Sequence, residues 1–186
     1  MKNVKILSLL TSLLLEYTTG YKLLDYRNIS STTINFYSCT SISPILQTTT
    51  TDVMQELNDY DLFDFKLNKQ QYKHEKNGKN TICNKNLDTN EYSEFGICTH
   101  YAPYFNETDI SISNMLIGTE TNLYNVVLHE LLHSVGLDHT NSKGMMNYTL
   151  QSRGRGYIKD KEKLYLSLDD YNGMKKVYDE INKCKC

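Results

Sequence analysis

His129-Glu130-Leu131-Leu132-His133-Ser134-Val135-Gly136-Leu137-Asp138-His139 is the stretch whose spacing decides the fold. On an α-helix, residues four apart return to within about 40° of the same direction, so the His129 and His133 imidazoles project from one face and can share a metal ion. Glu130 lies about 100° further round the helix. There it can reach a water at the metal without ligating the metal, which is where a general base is wanted. Gly136 is free to take φ > 0, end the helix and turn the chain, so that His139 swings back as third ligand. Three histidines leave one position of a tetrahedral zinc open, and an open position marks a catalytic site rather than a closed structural one. At this chain's own residue frequencies the five fixed positions would coincide by chance in roughly one chain in 10⁵. Satisfied core histidines or a partner-binding helix have no need of that coincidence, so the catalytic reading is preferred.

The motif H-E-x-x-H-x-x-G-x-x-H resembles the metzincin signature, and Thr140 with a methionine soon after resembles its matrixin (matrix metalloprotease) branch. Residues Thr121 to Leu128 resemble the approach to the matrixin active-site helix. Met145-Met146-Asn147-Tyr148 falls where that family has its Met-turn, and Leu166 to Met174 resembles its C-terminal helix. The resemblance covers most of residues 95 to 178.

It implies an α+β, zincin-like metzincin catalytic domain, with a twisted mixed sheet, about three helices, and one zinc at a cleft between an upper and a smaller lower subdomain. It implies a zinc-dependent endopeptidase acting on polypeptides. His129, His133 and His139 hold the metal, and Glu130 takes a proton from the zinc-activated water and delivers it to the leaving amine. Met146 is assigned to the Met-turn in preference to Met145, because Tyr148 follows it by two residues. Tyr148 is a candidate oxyanion stabiliser, with simple packing as the favoured alternative. Two rival functions stay open: a secreted binding protein that keeps the zinc fold without turnover, and an exopeptidase whose cleft is blocked by residues 68 to 94. Damage to the base or ligands would favour the first, and the motif shows none.

Matrixins hold one surface loop with a second, structural zinc. His100 resembles one ligand of that set, but the positions aligned with two others are Lys85 and Ser113, so a single zinc is expected. Calcium has no readable signature. A disulfide between Cys83 and Cys98, closing a ~15-residue loop worth about 3 kcal/mol, could replace the lost metal as a staple. Cys39 with Cys184 or Cys186 would then tie the first strand to the C-terminus. With five cysteines, one is left over, and sequence alone fixes no connectivity.

At 186 residues the chain is one domain's worth. Lys2 and Lys5, the apolar run Ile6 to Leu15 and the small residues Thr18-Thr19-Gly20 read as a secretory signal peptide over residues 1–20, with a core too short to span a bilayer. Its loss removes Lys2, Lys5 and Glu16, so the formal charge of −2 becomes −3. That balance favours neither nucleic acid nor an anionic membrane. Residues 21–186 read as a single secreted, extracellular, monomeric domain, with no recognisable cysteine-bearing pro-domain and no C-terminal accessory domain. Secretion makes disulfides the default and gives meaning to the sequons at Asn28, Asn106 and Asn147, the last too close to the active-site floor to be modified.

Residues 21 to 33 are polar and Thr/Ser-rich and read as a mobile N-terminus. Ile34 to Tyr37 alternates as a strand, and Ser43-Pro44 starts a helix to about Tyr60. Leu62 to Leu67 and Ile110 to Ser113 alternate as half-buried strands. Residues 68 to 94 read mostly as surface loop, with His74 a solvated loop residue. Gly96 to Pro103 resembles the matrixin strand along the cleft, to which a substrate peptide can add as a further strand. Residues 149 to 163 occupy the place of the specificity loop, and their basic cluster reads as a solvated loop. Ser167 reads as N-cap of the last helix, with Asp169 and Asp170 in its first turn; the resemblance implies that these aspartates brace the Met-turn.

Overall fold

The computed structural model describes residues 20–24, 29–40, 42–72, 78–87, 96–101, 107–114, 120–140, 144–146 and 165–183. Most of the signal segment, the sequon asparagines Asn28, Asn106 and Asn147, His74, Tyr148, residues 149–163, Cys184 and Cys186 lie outside them.

In chain order the elements are β1 (Lys22–Leu23), β2 (Thr33–Cys39), α1 (Pro44–Asn58), β3 (Asp64–Tyr72), β4 (Asn80–Lys85), β5 (Gly96–His100), β6 (Thr108–Ser113), α2 (Glu120–Ser134), β7 (Leu137–Asp138) and α3 (Leu168–Lys183). Five strands form one mixed sheet in the order β3-β2-β4-β6-β5. Neighbouring pairs are parallel except β5 and β6, which run antiparallel with Gly96 opposite Ile112 and His100 opposite Thr108. Among the described residues there are thus three helices and a mixed sheet, the α+β arrangement expected.

Helix α1 starts where the sequence says it should. The Ser43 side chain accepts the Leu46 N–H at 3.2 Å, and Pro44 occupies the first turn, where its missing N–H costs nothing. Leu46, Val53, Met54 and Leu57 form its buried stripe. Helix α2 is different: from Leu123 to Ser134 every residue is buried. A helix covered on every side belongs at the centre of the molecule, and α2 lies between α1 and the β5/β6 end of the sheet. The Tyr124 hydroxyl donates to Glu56 Oε2 at 2.5 Å, joining the two helices.

Several expectations are corrected. Of the stretch 68–94, residues 68–72 and 80–85 are strand rather than loop: β3 runs on to Tyr72, and β4 is an interior strand between β2 and β6. An interior parallel strand buries both faces, so Thr81, Ile82 and Cys83 are all covered and period-two alternation is absent. For the same reason β6 is wholly buried rather than half-buried, Ser111 and Ser113 included. The segment after residue 20 is not a free tail. β1 pairs antiparallel with β7, Lys22 forms an ion pair with Asp138, the Thr140 hydroxyl donates to the Gly20 carbonyl, and the Gly20 N–H donates to Asp169 Oδ1 at 2.9 Å. Polar composition masked this clasp because its bonds are made to residues more than a hundred positions away.

The disulfide expectation is also overturned. Cys39 pairs with Cys83, with Cα atoms 5.1 Å apart, and Cys98 is free. β2 and β4 are parallel neighbours, with Ser38 opposite Ile82, so their next residues meet. Nor do His100, Lys85 and Ser113 share a place. Lys85 stands opposite Ser113 at one end of β4 and β6, whereas His100 lies by Thr108 at the other end of β6.

Candidate metal centre

His129 and His133 sit one turn apart on α2, as their spacing requires. After Ser134 the helix closes with the Gly136 N–H donating to the His133 carbonyl at 2.8 Å, and Gly136 takes φ +89°. Only glycine adopts that conformation without strain. The turn sends Leu137–Asp138 into β7 and returns His139 toward the helix. His139 Nε2 lies 3.1 Å from His129 Nε2 and 3.0 Å from His133 Nε2.

Three imidazole nitrogens packed this closely, with no proton shared among all of them, are what a metal ion resolves. The other ring nitrogens support that reading. His129 Nδ1 is 2.8 Å from the Met145 carbonyl, and His133 Nδ1 is 2.7 Å from the Leu137 carbonyl. A carbonyl only accepts, so Nδ1 carries the proton in both rings and the Nε2 lone pairs face each other. Burial pushes all three histidines below their ordinary pKa, His129 to about 4 and His133 well down. The Met145 and Leu137 carbonyls oppose this and the neighbouring imidazoles reinforce it for His129 and His133. Neutral rings are the form that binds metal. Among the described residues this is the one cluster able to hold an ion, and a three-histidine set with an open side suits zinc.

The low pKa values carry a testable sign. In metal-free protein, an unfolded chain takes up histidine protons below about pH 6.5 that the folded chain refuses until about pH 4 at His129. The unfolded state then binds more protons, so stability falls as pH falls through that window. The expected result is a melting temperature of chelated protein that drops as the pH is lowered from 6.5 toward 4.

Glu130 is 3 % exposed and stands against β5. An added Cβ on Gly96 would lie 2.7 Å from Glu130 Oε1 and 2.7 Å from Val126 Cγ1. Sequence reasoning missed this role for Gly96, since the constraint arises only when β5 docks on α2. Gly96→Ala is expected to push the carboxylate aside and lower peptidase turnover by up to about 100-fold, with metal content unchanged. Steady-state kinetics beside metal analysis checks it.

Beneath the histidines, Met145 and Met146 are both buried. Met145 supplies the carbonyl that orients His129, and the Met146 carbonyl accepts the Thr140 N–H at 2.7 Å. Asp170 holds this turn. Its Oδ2 accepts from the Met145 N–H at 2.8 Å, the Ser167 N–H at 3.0 Å and the Ser167 hydroxyl at 2.6 Å, and its Oδ1 accepts from the Met146 N–H at 3.2 Å. Ser167 Oγ in turn accepts the Asp170 N–H at 3.1 Å as N-cap of α3. The brace that the resemblance implied for the aspartates is thus made by Asp170. Asp169 instead receives the Gly20 N–H.

A cavity of about 220 Å³ opens beside the histidines between β5 and β7, with Cys98, His100, Glu130, His133, Asp138 and His139 among its walls. Cys98 and His100 are the second omission of sequence reasoning, which gave one to a disulfide and the other to a lost structural site. Burial chiefly, then Glu130 and Asp109, pushes the Cys98 thiol well up. His100 is lowered by burial, with a contact to the His133 backbone working the other way. β5 ends the sheet, and its outer edge pairs with no described strand.

The sequence profile of Peptidase M10, Matrixin, matches residues 47–179. No match was found among curated proteins. Among solved structures, the archaemetzincin of Methanopyrus kandleri is similar in fold, with TM-score 0.52 and 12% identity over 81% of this chain and 97% of that one. The profile spans more than half of the sequence and includes both the metal centre and its brace, and the chain belongs to the matrixins, a family of zinc metalloendopeptidases.

Proposed function

We propose that this matrixin is a secreted, monomeric single-domain endopeptidase that takes polypeptide in extended form along β5, with Glu130 as general base. The observation that carries the reading is the convergence of three Nε2 atoms beside a buried carboxylate, in a cavity walled by an edge strand. His129, His133 and His139 would hold one zinc, which supplies Lewis acidity toward water and toward a scissile carbonyl. Glu130 accepts the proton of the attacking water and passes it to the departing amine. Its pressed position against Gly96 limits where its carboxylate can swing. The outer edge of β5, which pairs with no described strand, offers backbone N–H and C=O groups that bind any peptide sequence, which leaves selectivity to side-chain pockets. Met146 is the floor methionine, supported by its burial and by its carbonyl bond to Thr140. Tyr148 stays a candidate oxyanion stabiliser on its sequence position.

Secretion rests on the leader-like residues 1–20 and on the Cys39–Cys83 bridge, which suits an oxidising compartment. No helix among the described residues is long and apolar enough to cross a membrane.

Incubating the secreted protein with casein and sequencing the fragments tests the proposal. Internal cuts that stop on chelation and return with zinc, at one ion per chain, are the expected outcome. Trimming confined to chain ends would make it an exopeptidase. A folded, zinc-loaded protein that cuts nothing would leave a binding module.

A further inference from the structure

The cavity beside the metal ligands is walled by strands of two different sheets. Gly96, Ile97 and Cys98 come from β5 at the end of the five-stranded sheet, whereas Asp138 belongs to β7 and Leu24 follows directly on β1. A defined register brings Leu24 there. Lys22 stands opposite Asp138 and Leu23 opposite Leu137, and the Leu24 N–H carries the ladder one step further by donating to the Gly136 carbonyl at 2.8 Å. Successive side chains of a strand point to opposite faces. Leu23 packs against the hydrophobic core, so Lys22 and Leu24 share the other face, with Asp138 and Gly136 as their cross-strand neighbours. Gly136 offers no side chain for Leu24 to lie against, and the half-buried Leu24 lines the cavity instead. The charge on the same wall is already answered: Asp138 forms an ion pair with Lys22 and accepts the His139 N–H at 2.7 Å. A carboxylate next to its own counter-charge attracts a further cation weakly, which leaves the apolar surface of Leu24 to distinguish one substrate from another.

We propose that Leu24 is a specificity-determining residue: it walls a subsite beside His139 that takes an apolar side chain of a polypeptide lying along β5. An apolar side chain seated between Leu24 and β5 takes its own surface and that of Leu24 out of water together. A lysine or glutamate in the same place would give up hydration against Leu24 and gain no partner. The strand that holds β1 is β7, and the residue after β7 is His139, one of the three metal ligands. The subsite therefore keeps a fixed distance from the metal, and its preference falls on one position relative to the scissile bond. The N-terminal segment is in this way part of the substrate site as well as a clasp on the fold.

The consequence for cleavage rests on the peptidase reading, whereas the consequence for binding does not, and the experiment reads both. Zinc-loaded wild type, Leu24→Ala, Leu24→Glu and Leu24→Met are given a peptide series in which one position at a time carries Leu, Phe, Ala, Lys or Glu. Cut sites and kcat/KM are read by mass spectrometry. Binding of the same peptides is read by fluorescence anisotropy, with Glu130→Gln added to each protein so that turnover is suppressed. Wild type is expected to favour Leu or Phe at one position. Leu24→Ala should lower that preference about 10-fold, the low end of what a hydrophobic pocket discriminates, and leave the other positions as they were. Leu24→Glu should turn the same position toward Lys, and Leu24→Met, of similar volume, should keep the wild-type profile; these two serve if Leu24→Ala fails to fold. An unchanged profile in Leu24→Ala and Leu24→Glu, or a fall shared equally by all positions, would overturn the proposal. Leu24-dependent binding in a protein that cuts nothing would sustain the subsite and refute the peptidase reading instead. A protein that neither cuts nor binds any of the peptides would overturn both.

Discussion

Glu130→Gln is expected to lower kcat on a peptide substrate by about 10²–10⁴-fold while zinc content and melting temperature stay as in wild type. Glutamine fills the same volume, so the close approach to Gly96 that confines this side chain is kept. None of the three metal ligands is touched. What is lost is the capacity to take a proton, and that capacity is wanted as the reaction proceeds rather than when substrate binds. KM should accordingly move little. Comparable activity in the variant would mean that another group is the base, and the assignment would have to be withdrawn.

Asp170→Ala is expected to cost on the order of 4 kcal/mol of folding stability and most of the metal affinity. The carboxylate is 1 % exposed and accepts the Met145, Met146 and Ser167 N–H groups and the Ser167 hydroxyl. Hydrogen bonds to a charged group contribute about 1.5–3 kcal/mol each, and buried donors left without partners carry their full desolvation cost. The damage reaches the metal because Met145, once released, no longer presents its carbonyl to His129 Nδ1. Asp170→Asn keeps one acceptor oxygen and should fall between the two. Urea unfolding with metal analysis at equal total zinc reads both effects. A variant that unfolds easily yet keeps its zinc would show that the brace serves the fold alone.

The metal centre was legible in the sequence because its geometry is mostly local. The turn of a helix relates His129 to His133, and one glycine relates both to His139. Helix α1 was legible for a similar reason, since Ser43 and Pro44 mark its start within two residues. What escaped was set by tertiary neighbours. β4 carries no alternation because both its faces are covered, so period-two reasoning passed over most of it. The Cys39–Cys83 pairing follows from strand order in the sheet, which places next to each other cysteines that are 44 positions apart. Gly96, Cys98 and His100 acquire meaning only once β5 docks on α2, because nothing in a single edge strand says which of its two faces will meet the site. The N-terminal clasp was hidden in the same way. Lys22 and Gly20 look like ordinary tail residues until β7 and α3 arrive to receive them.

The Cys39–Cys83 bond closes a covalent ring that encloses α1 and β3. For a protein exposed to proteases, its own kind included, the ring changes what a nick does. A cut anywhere within that arc opens the backbone but releases nothing, because both new ends stay joined through sulfur. Nicked and intact molecules would then run as one species on a gel until a reductant is added. Cuts outside the arc would shed fragments at once, so a preparation that looks whole without reductant can still be one in which the arc has been cut.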